Sequence, residues 1–164
     1  MRTKVKPIVI KILIGLGILI LGLIATLVAL DTAKSRRSAV LLEEKARQIE
    51  AQFAQSVAKK NNAGELAKSG LRQLNINLPN FALTSLKRAT EIQPNYRDGW
   101  LALGWVQFKT NDFPAALASF QTAEKLDPIN AKTYELLKIS YEKLEDAASA
   151  GKAAEKYDFL TKNY

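Results

Sequence analysis

The sequence has neither cysteine nor histidine. Their absence excludes disulfides, thiolate and imidazole metal sites, cysteine nucleophiles and every triad built on a histidine base. No glycine-rich phosphate loop occurs. The carboxylates stand singly or as neighbours such as Glu43-Glu44 and Glu145-Asp146, which read as solvated faces rather than acid–base pairs. These gaps argue against an enzyme, and nothing in the chain calls for a metal or organic cofactor. What is present is a globular balance: 164 residues, 48% hydrophobic and 24% charged, enough for one folded domain and a remainder.

The net charge of +8 is unevenly spread. Residues 1–60 hold 11 Lys/Arg against four Asp/Glu, while residues 61–164 hold 13 against 12. A nucleic-acid module would carry its basic excess on the folded part. Here the excess lies in the first third, so no nucleic-acid partner is expected.

Ile12 to Leu30 is a run of 19 residues without a charge, and extending it back to Ile8 gives 23, with Lys11 near the end. As a helix this run covers about 29–35 Å, close to the ~30 Å of a bilayer core. It follows a basic tail (1–11) with Arg2, Lys4, Lys6 and Lys11. The run exceeds the apolar stretch of a cleavable signal peptide, and no small-x-small cleavage pattern follows. The expectation is a retained single-pass membrane helix over 8–30. Lys/Arg counts on its two sides are equal, so only the α-amine favours a cytoplasmic N-terminus, with the C-terminal domain extracytoplasmic. Gly15, Gly22 and Ala29 recur every seven residues, with Ala25 and Thr26 beside them. Such a face of small residues lets a second helix approach closely, although glycine is also common in membrane helices generally.

No Gly or Pro occurs between Leu23 and Ala63. The intervening residues favour helix, and the expectation is a helical stalk over 31–62. Ala39, Leu42, Ala46, Ile49 and Phe53 form a narrow stripe with spacings of 3, 4, 3 and 4. Two readings of the stripe stand: packing on the first unit of the following domain, or self-association into an oligomer.

From Ala63 onward the chain repeats every 34 residues, in blocks 63–96, 97–130 and 131–164. Trp100 aligns with Tyr134, Leu103 with Leu137, Ala82 with Ala116 and Ala150, Ala89 with Ala123, and Pro94 with Pro128. A period of 34 with two amphipathic helices per unit predicts a helical solenoid. The expected fold is therefore all-α: one N-terminal membrane helix, a helical stalk and a three-unit helix-turn-helix array over 63–164. Asn77 and Asn111 suit the left-handed cap that ends the first helix of a unit. Glu145 stands at the same point in the third unit, where the turn is expected to differ or fray.

The middle block reads W-L-A-L-G-W-V-Q-F from Trp100 to Phe108, then A-L-A-S-F-Q-T-A-E-K-L-D-P from Ala116 to Pro128. It resembles a tetratricopeptide repeat (TPR), whose pattern is W-x2-L-G-x2-Y, then A-x3-F and a late Pro. Trp100, Leu103, Gly104, Ala116, Phe120, Ala123 and Pro128 match. Two positions depart: Gln107 stands at the pattern's Tyr, and Lys138 stands where Gly70 and Gly104 do. One step further back, Gln48, Gln52 and Gln55 occupy the apolar marker positions, so there is no fourth repeat.

The resemblance implies a protein- or peptide-binding groove formed by the first helices of the units. The implied lining is Leu71, Leu74, Leu101, Trp105, Phe108, Ile139, Glu142 and Lys143. Some members clamp a C-terminal carboxylate with paired Lys and Asn on this face. Leu71, Trp105 and Ile139 stand there instead, which implies an aromatic or aliphatic segment as partner. The competing reading is that these leucines complete the core, or that the stalk folds back into the groove. The functional expectation is a membrane-anchored adaptor or scaffold. The rival is a structural subunit of a larger membrane assembly, with membrane helix, stalk and repeats all serving as contacts.

Overall fold

The computed structural model describes residues 7–163, with side chains described for Leu23 and residues 25–163. Among these the chain is helical throughout: α1 (Pro7–Ala58), α2 (Ala63–Asn75), α3 (Pro79–Ile92), α4 (Arg97–Lys109), α5 (Phe113–Leu126), α6 (Ala131–Lys143) and α7 (Ala147–Asn163). The chain divides into two compact units, Met1–Gln48 and Ile49–Tyr164.

The lack of Gly and Pro from Leu23 onward lets α1 continue without interruption. The hydroxyls of Thr26, Thr32 and Ser38 donate to the carbonyls three residues earlier, at 2.8, 2.9 and 2.8 Å. Arg47 and Glu43 pair at 2.7 Å across one turn. The span expected over 8–30 falls mainly on residues 8–22 and 24, which lie outside the described side chains. Gly15 and Gly22 of the small-residue face lie outside them too, while Ala25, Thr26 and Ala29 are exposed. Among the described residues no helix is long and apolar enough to cross a membrane. Ala39, Leu42 and Ala46 of the stripe are exposed.

The stripe's end belongs to the second unit. Phe53 meets Phe81 of α3 edge-on, with ring centroids 4.7 Å apart. Val57, one turn further, is buried in the core beside Leu66 and Leu86. Asn80 donates its side-chain amide to Glu50 at 2.9 Å. The last turns of α1 thus cover the outer side of the first repeat. Of the two readings of the stripe, packing accounts for Phe53, whereas Ile49 stays exposed.

Each repeat is a pair of helices closed by the same turn. Asn77, Asn111 and Glu145 have φ of 60°, 64° and 61°. In each turn two backbone N–H groups satisfy carbonyls of the preceding helix: Asn77 to Leu74 and Leu78 to Gln73, Asn111 to Phe108 and Asp112 to Gln107, Glu145 to Glu142 and Asp146 to Tyr141. This is the Schellman pattern. The third turn therefore does not differ or fray, contrary to the expectation for Glu145. The left-handed conformation costs a non-glycine residue about 1–2 kcal/mol, and the two backbone bonds sustain it for Glu as they do for Asn. The N-termini of α2, α5, α6 and α7 are capped by side chains, with Asn62, Asp112, Asn130 and Asp146 accepting from the backbone N–H three residues on.

Small residues set the crossing distance within the first two units. A Cβ placed on Gly70 would lie 2.6 Å from Leu86 Cγ, and one on Gly104 would lie 2.5 Å from Phe120 Cε1. In the third unit Lys138 replaces the glycine, and the register puts Ala154 where Leu86 and Phe120 stand. The larger residue on one helix is thus matched by a smaller one on the other.

Consecutive units are joined by a repeated aromatic tether. Trp100 Nε1 donates to the carbonyl oxygen of Pro94 at 2.8 Å, and the Tyr134 hydroxyl donates to that of Pro128 at 3.0 Å. Within the second unit, Arg97 ties the start of α4 to the end of α5 through Asp127, at 2.9 Å.

Candidate protein-binding site

The groove follows from which faces the first helices leave uncovered. On α4, Ala102, Leu103 and Val106 are buried and face the first core cluster. Trp100 packs partly against the same cluster, whereas Leu101, Trp105 and Phe108 lean on the second. Positions 100 and 105 are about 140° apart on a helix of 3.6 residues per turn, so the two tryptophans point different ways.

Leu71 of α2, Leu101, Ala102 and Trp105 of α4, and Leu136 of α6 line an apolar hollow of ≈ 400 Å³, with Asp98 and Lys132 on its rim. The last turns of α1, residues 49–58, contribute nothing to its lining. Leu71 is 39% exposed, while Leu101 and Trp105 are half-buried. Three of the eight residues implied by the resemblance, Leu71, Leu101 and Trp105, therefore meet in one hollow. Phe108 stacks on Trp105 with the rings 5.9 Å apart and nearly parallel, and meets Phe113 edge-on at 5.3 Å. Leu74 packs partly against the first core cluster and Ile139 against the second. Glu142 and Lys143 are exposed on α6, with Lys138 approaching Glu142 at 3.8 Å.

Ala102 and Leu136 were not singled out from the sequence as groove residues. Both fall one residue after the pattern position of Leu101, at equivalent points of their units. Small and apolar residues there were legible, but the family markers drew attention to the core instead.

The rim charges are matched within the chain. Arg97 pairs with Asp98 at 2.6 Å as well as with Asp127, and Lys132 pairs with Glu135 at 2.7 Å. Lys109 lies over the Trp105 ring, 5.5 Å from its centroid. A second hollow, of ≈ 330 Å³, lies among α5, α6 and α7 and is lined by Glu124, Tyr134, Tyr141, Lys152 and Lys156 among others. Burial, together with the nearby Glu124 carboxylate, raises the Tyr134 hydroxyl above its ordinary range. No group of acidic residues among the described ones could hold a metal ion.

The three helical pairs, their common turns and the concave hollow define a tetratricopeptide-repeat fold. Solved structures of that kind are similar to it over part of the chain. A MamA crystal structure shares 27% identity over 68% of this chain and 66% of its own, with a TM-score of 0.60. The match thus spans slightly less than two thirds of that chain. YrrB, described as a TPR protein with an unusual peptide-binding site, shares 19% identity over 76% of this chain and 64% of its own, at 0.60. The first TPR of Spaghetti (RPAP3), solved with an HSP90 peptide, shares 17% over 65% of this chain and 84% of its own, also at 0.60. No protein-family model and no curated protein matches the sequence.

Proposed function

We propose that this protein is a membrane-anchored adaptor that holds a protein or peptide partner in the hollow formed by α2, α4 and α6. The observation that carries the reading is the apolar lining of Leu71, Leu101, Trp105 and Leu136, drawn from all three repeats. An exposed apolar patch of this kind marks contact sites. Peptide binding by the Spaghetti repeat supports it by analogy of fold. The anchor rests on the uncharged run Ile12–Leu30, and the proposed placement puts the repeats on the extracytoplasmic side.

The test is photo-crosslinking in cells from a reactive amino acid at Leu101, with the full-length chain. The reading requires a discrete crosslinked partner that disappears with Trp105→Ala and persists with a change at Lys87, exposed on α3. A crosslinking pattern indifferent to Trp105 refutes it. Carbonate extraction and the mass of the N-terminus test the anchor separately. Recovery in the soluble fraction, or a chain lacking residues 1–30, removes it.

A second reading has its own observation. Val40, Leu41 and Leu42 are exposed on successive positions of α1, at 56%, 52% and 67%. In a structural subunit of a larger assembly these would be covered by neighbouring chains. Stoichiometric co-purification that survives Trp105→Ala favours this role over the adaptor.

A further inference from the structure

We infer that the hollow selects an electrically neutral, apolar segment of its partner and discriminates against acidic ones. This rests on the groove reading above and adds the chemistry of the ligand.

The charges that line the hollow are already paired within the chain. A groove that captures an acidic segment needs cations free to meet it, because a desolvated carboxylate left unpaired is costly. The cation on the rim of this hollow is Lys132, and Glu135 holds it at 2.7 Å. Asp98, the acid of the lining, is met by Arg97 at 2.6 Å, which also pairs with Asp127 at 2.9 Å. The hollow's own lining thus carries one charge of each sign, Asp98 and Lys132, and each is paired within the chain. At the far end Lys109 rests on the Trp105 ring, a cation–π position that a ligand carboxylate would have to disrupt.

A ligand carboxylate therefore gains no uncommitted cation at this edge. A ligand cation fares little better, since Asp98 already has Arg97. Leucine, phenylalanine or methionine side chains meet none of these costs and cover Leu71, Leu101, Trp105 and Leu136. Specificity then comes from penalising the wrong charge as much as from attracting the right surface. Because no new ion pair forms, binding is insensitive to ionic strength.

The experiment is selection of a random display library of short peptides on the full-length chain in lipid nanodiscs, with Trp105→Ala as the parallel target. The expected result is enrichment of uncharged aromatic and aliphatic sequences on the parent that is lost on the variant. Two winning peptides are then measured by fluorescence anisotropy at low and high salt, each beside a version carrying two glutamates. The affinity of the neutral form should hold within about twofold across salt, and the glutamate form should bind at least tenfold more weakly. Enrichment of acidic or free-carboxylate sequences that depend on Trp105, or binding that weakens with salt, overturns this inference and leaves the groove reading standing. Enrichment that is the same on parent and variant, or none on either, overturns both.

Discussion

Gly104 lies directly beneath the ring of Phe120, so close that a methyl group added to the glycine would fall 2.5 Å from Cε1. Phe120 is fully buried, and nothing near it yields cheaply. Gly104→Leu is expected to overpack this crossing and cost roughly 1–3 kcal/mol or more. A domain of this size holds only about 5–15 kcal/mol in total, so the midpoint of urea unfolding of residues 49–164 should drop visibly. An unchanged midpoint would mean that α4 and α5 do not cross at this glycine.

The end of α1 makes a second prediction. Phe53 and Val57 pack on α3 and the first core cluster, and Val57 is 1% exposed. A fragment starting at Asn61 loses both and uncovers Leu66 and Leu86. It should be less stable than one starting at Ile49 by several kcal/mol, given about 1.5–3 kcal/mol for each large apolar side chain buried. Equal melting of the two fragments would show that α1 contributes nothing to the repeats.

Much of this arrangement was legible in the sequence, because the constraint on each repeat is local. The 34-residue period, Gly104 against Phe120 and the paired prolines all reflect two helices that must cross tightly and then stop. What the period could not give was anything set by contacts across it. Val57 escaped because the stripe ending at Phe53 was read without the turn that follows. Glu145 was misjudged because residue preference was weighed without the backbone bonds that hold the turn. Gln107 appeared as a plain departure from the pattern's Tyr, yet Ser119 donates its hydroxyl proton to Gln107 Oε1 at 2.6 Å, and Ser85 does the same to Gln73 at 2.9 Å. The recurrence of Gln and Ser twelve residues apart in both units was the overlooked signal. In the third unit Tyr141 and Ala153 occupy the two places.

That pairing is testable by a double-mutant cycle. Ser119 is buried, so Ser119→Ala leaves the Gln107 carbonyl without its donor and should cost about 1–3 kcal/mol. Combining it with Gln107→Tyr restores the third unit's arrangement and should recover most of the loss. Chemical denaturation of the four proteins gives the coupling, and strict additivity would rule out the interaction.

Asp146 gives a pH dependence. Hydrogen bonding from Ser149 lowers its carboxyl below the ordinary carboxylate range, and the Ser149 backbone N–H donates to Oδ1 at 3.0 Å. A carboxyl with a depressed folded-state value adds stability that is present above its unfolded value and fades as pH falls through the folded one. The acid limb of the stability profile should therefore be shallower in Asp146→Asn, which caps the helix without titrating. Identical acid limbs would remove Asp146 from the account.

The two tryptophans separate core from groove. Trp100 packs against the first core cluster and gives its indole proton to the Pro94 carbonyl. Trp100 is half-buried, so Trp100→Ala should cost less than the ~3–5 kcal/mol of a fully buried aromatic, yet lose both the packing and the bond that joins two units. Trp105 faces the hollow with Phe108 stacked on it and Lys109 above its ring. Its removal forfeits that stacking, about 0.5–1.5 kcal/mol, and part of its packing on the second cluster. In a bound complex the same side chain is the large aromatic at the centre of the apolar surface, the type and place that dominate binding energy. Trp105→Ala should then weaken partner capture by about 2 kcal/mol or more, while Trp100→Ala should affect capture only as far as it unfolds the domain. Thermal melting of residues 49–164 and pull-down with the full chain, performed on both variants at a temperature where each is folded, separate the two effects. If Trp105→Ala melts as early as Trp100→Ala, or captures its partner as well as the parent does, Trp105 belongs to the core and the hollow is not the binding site.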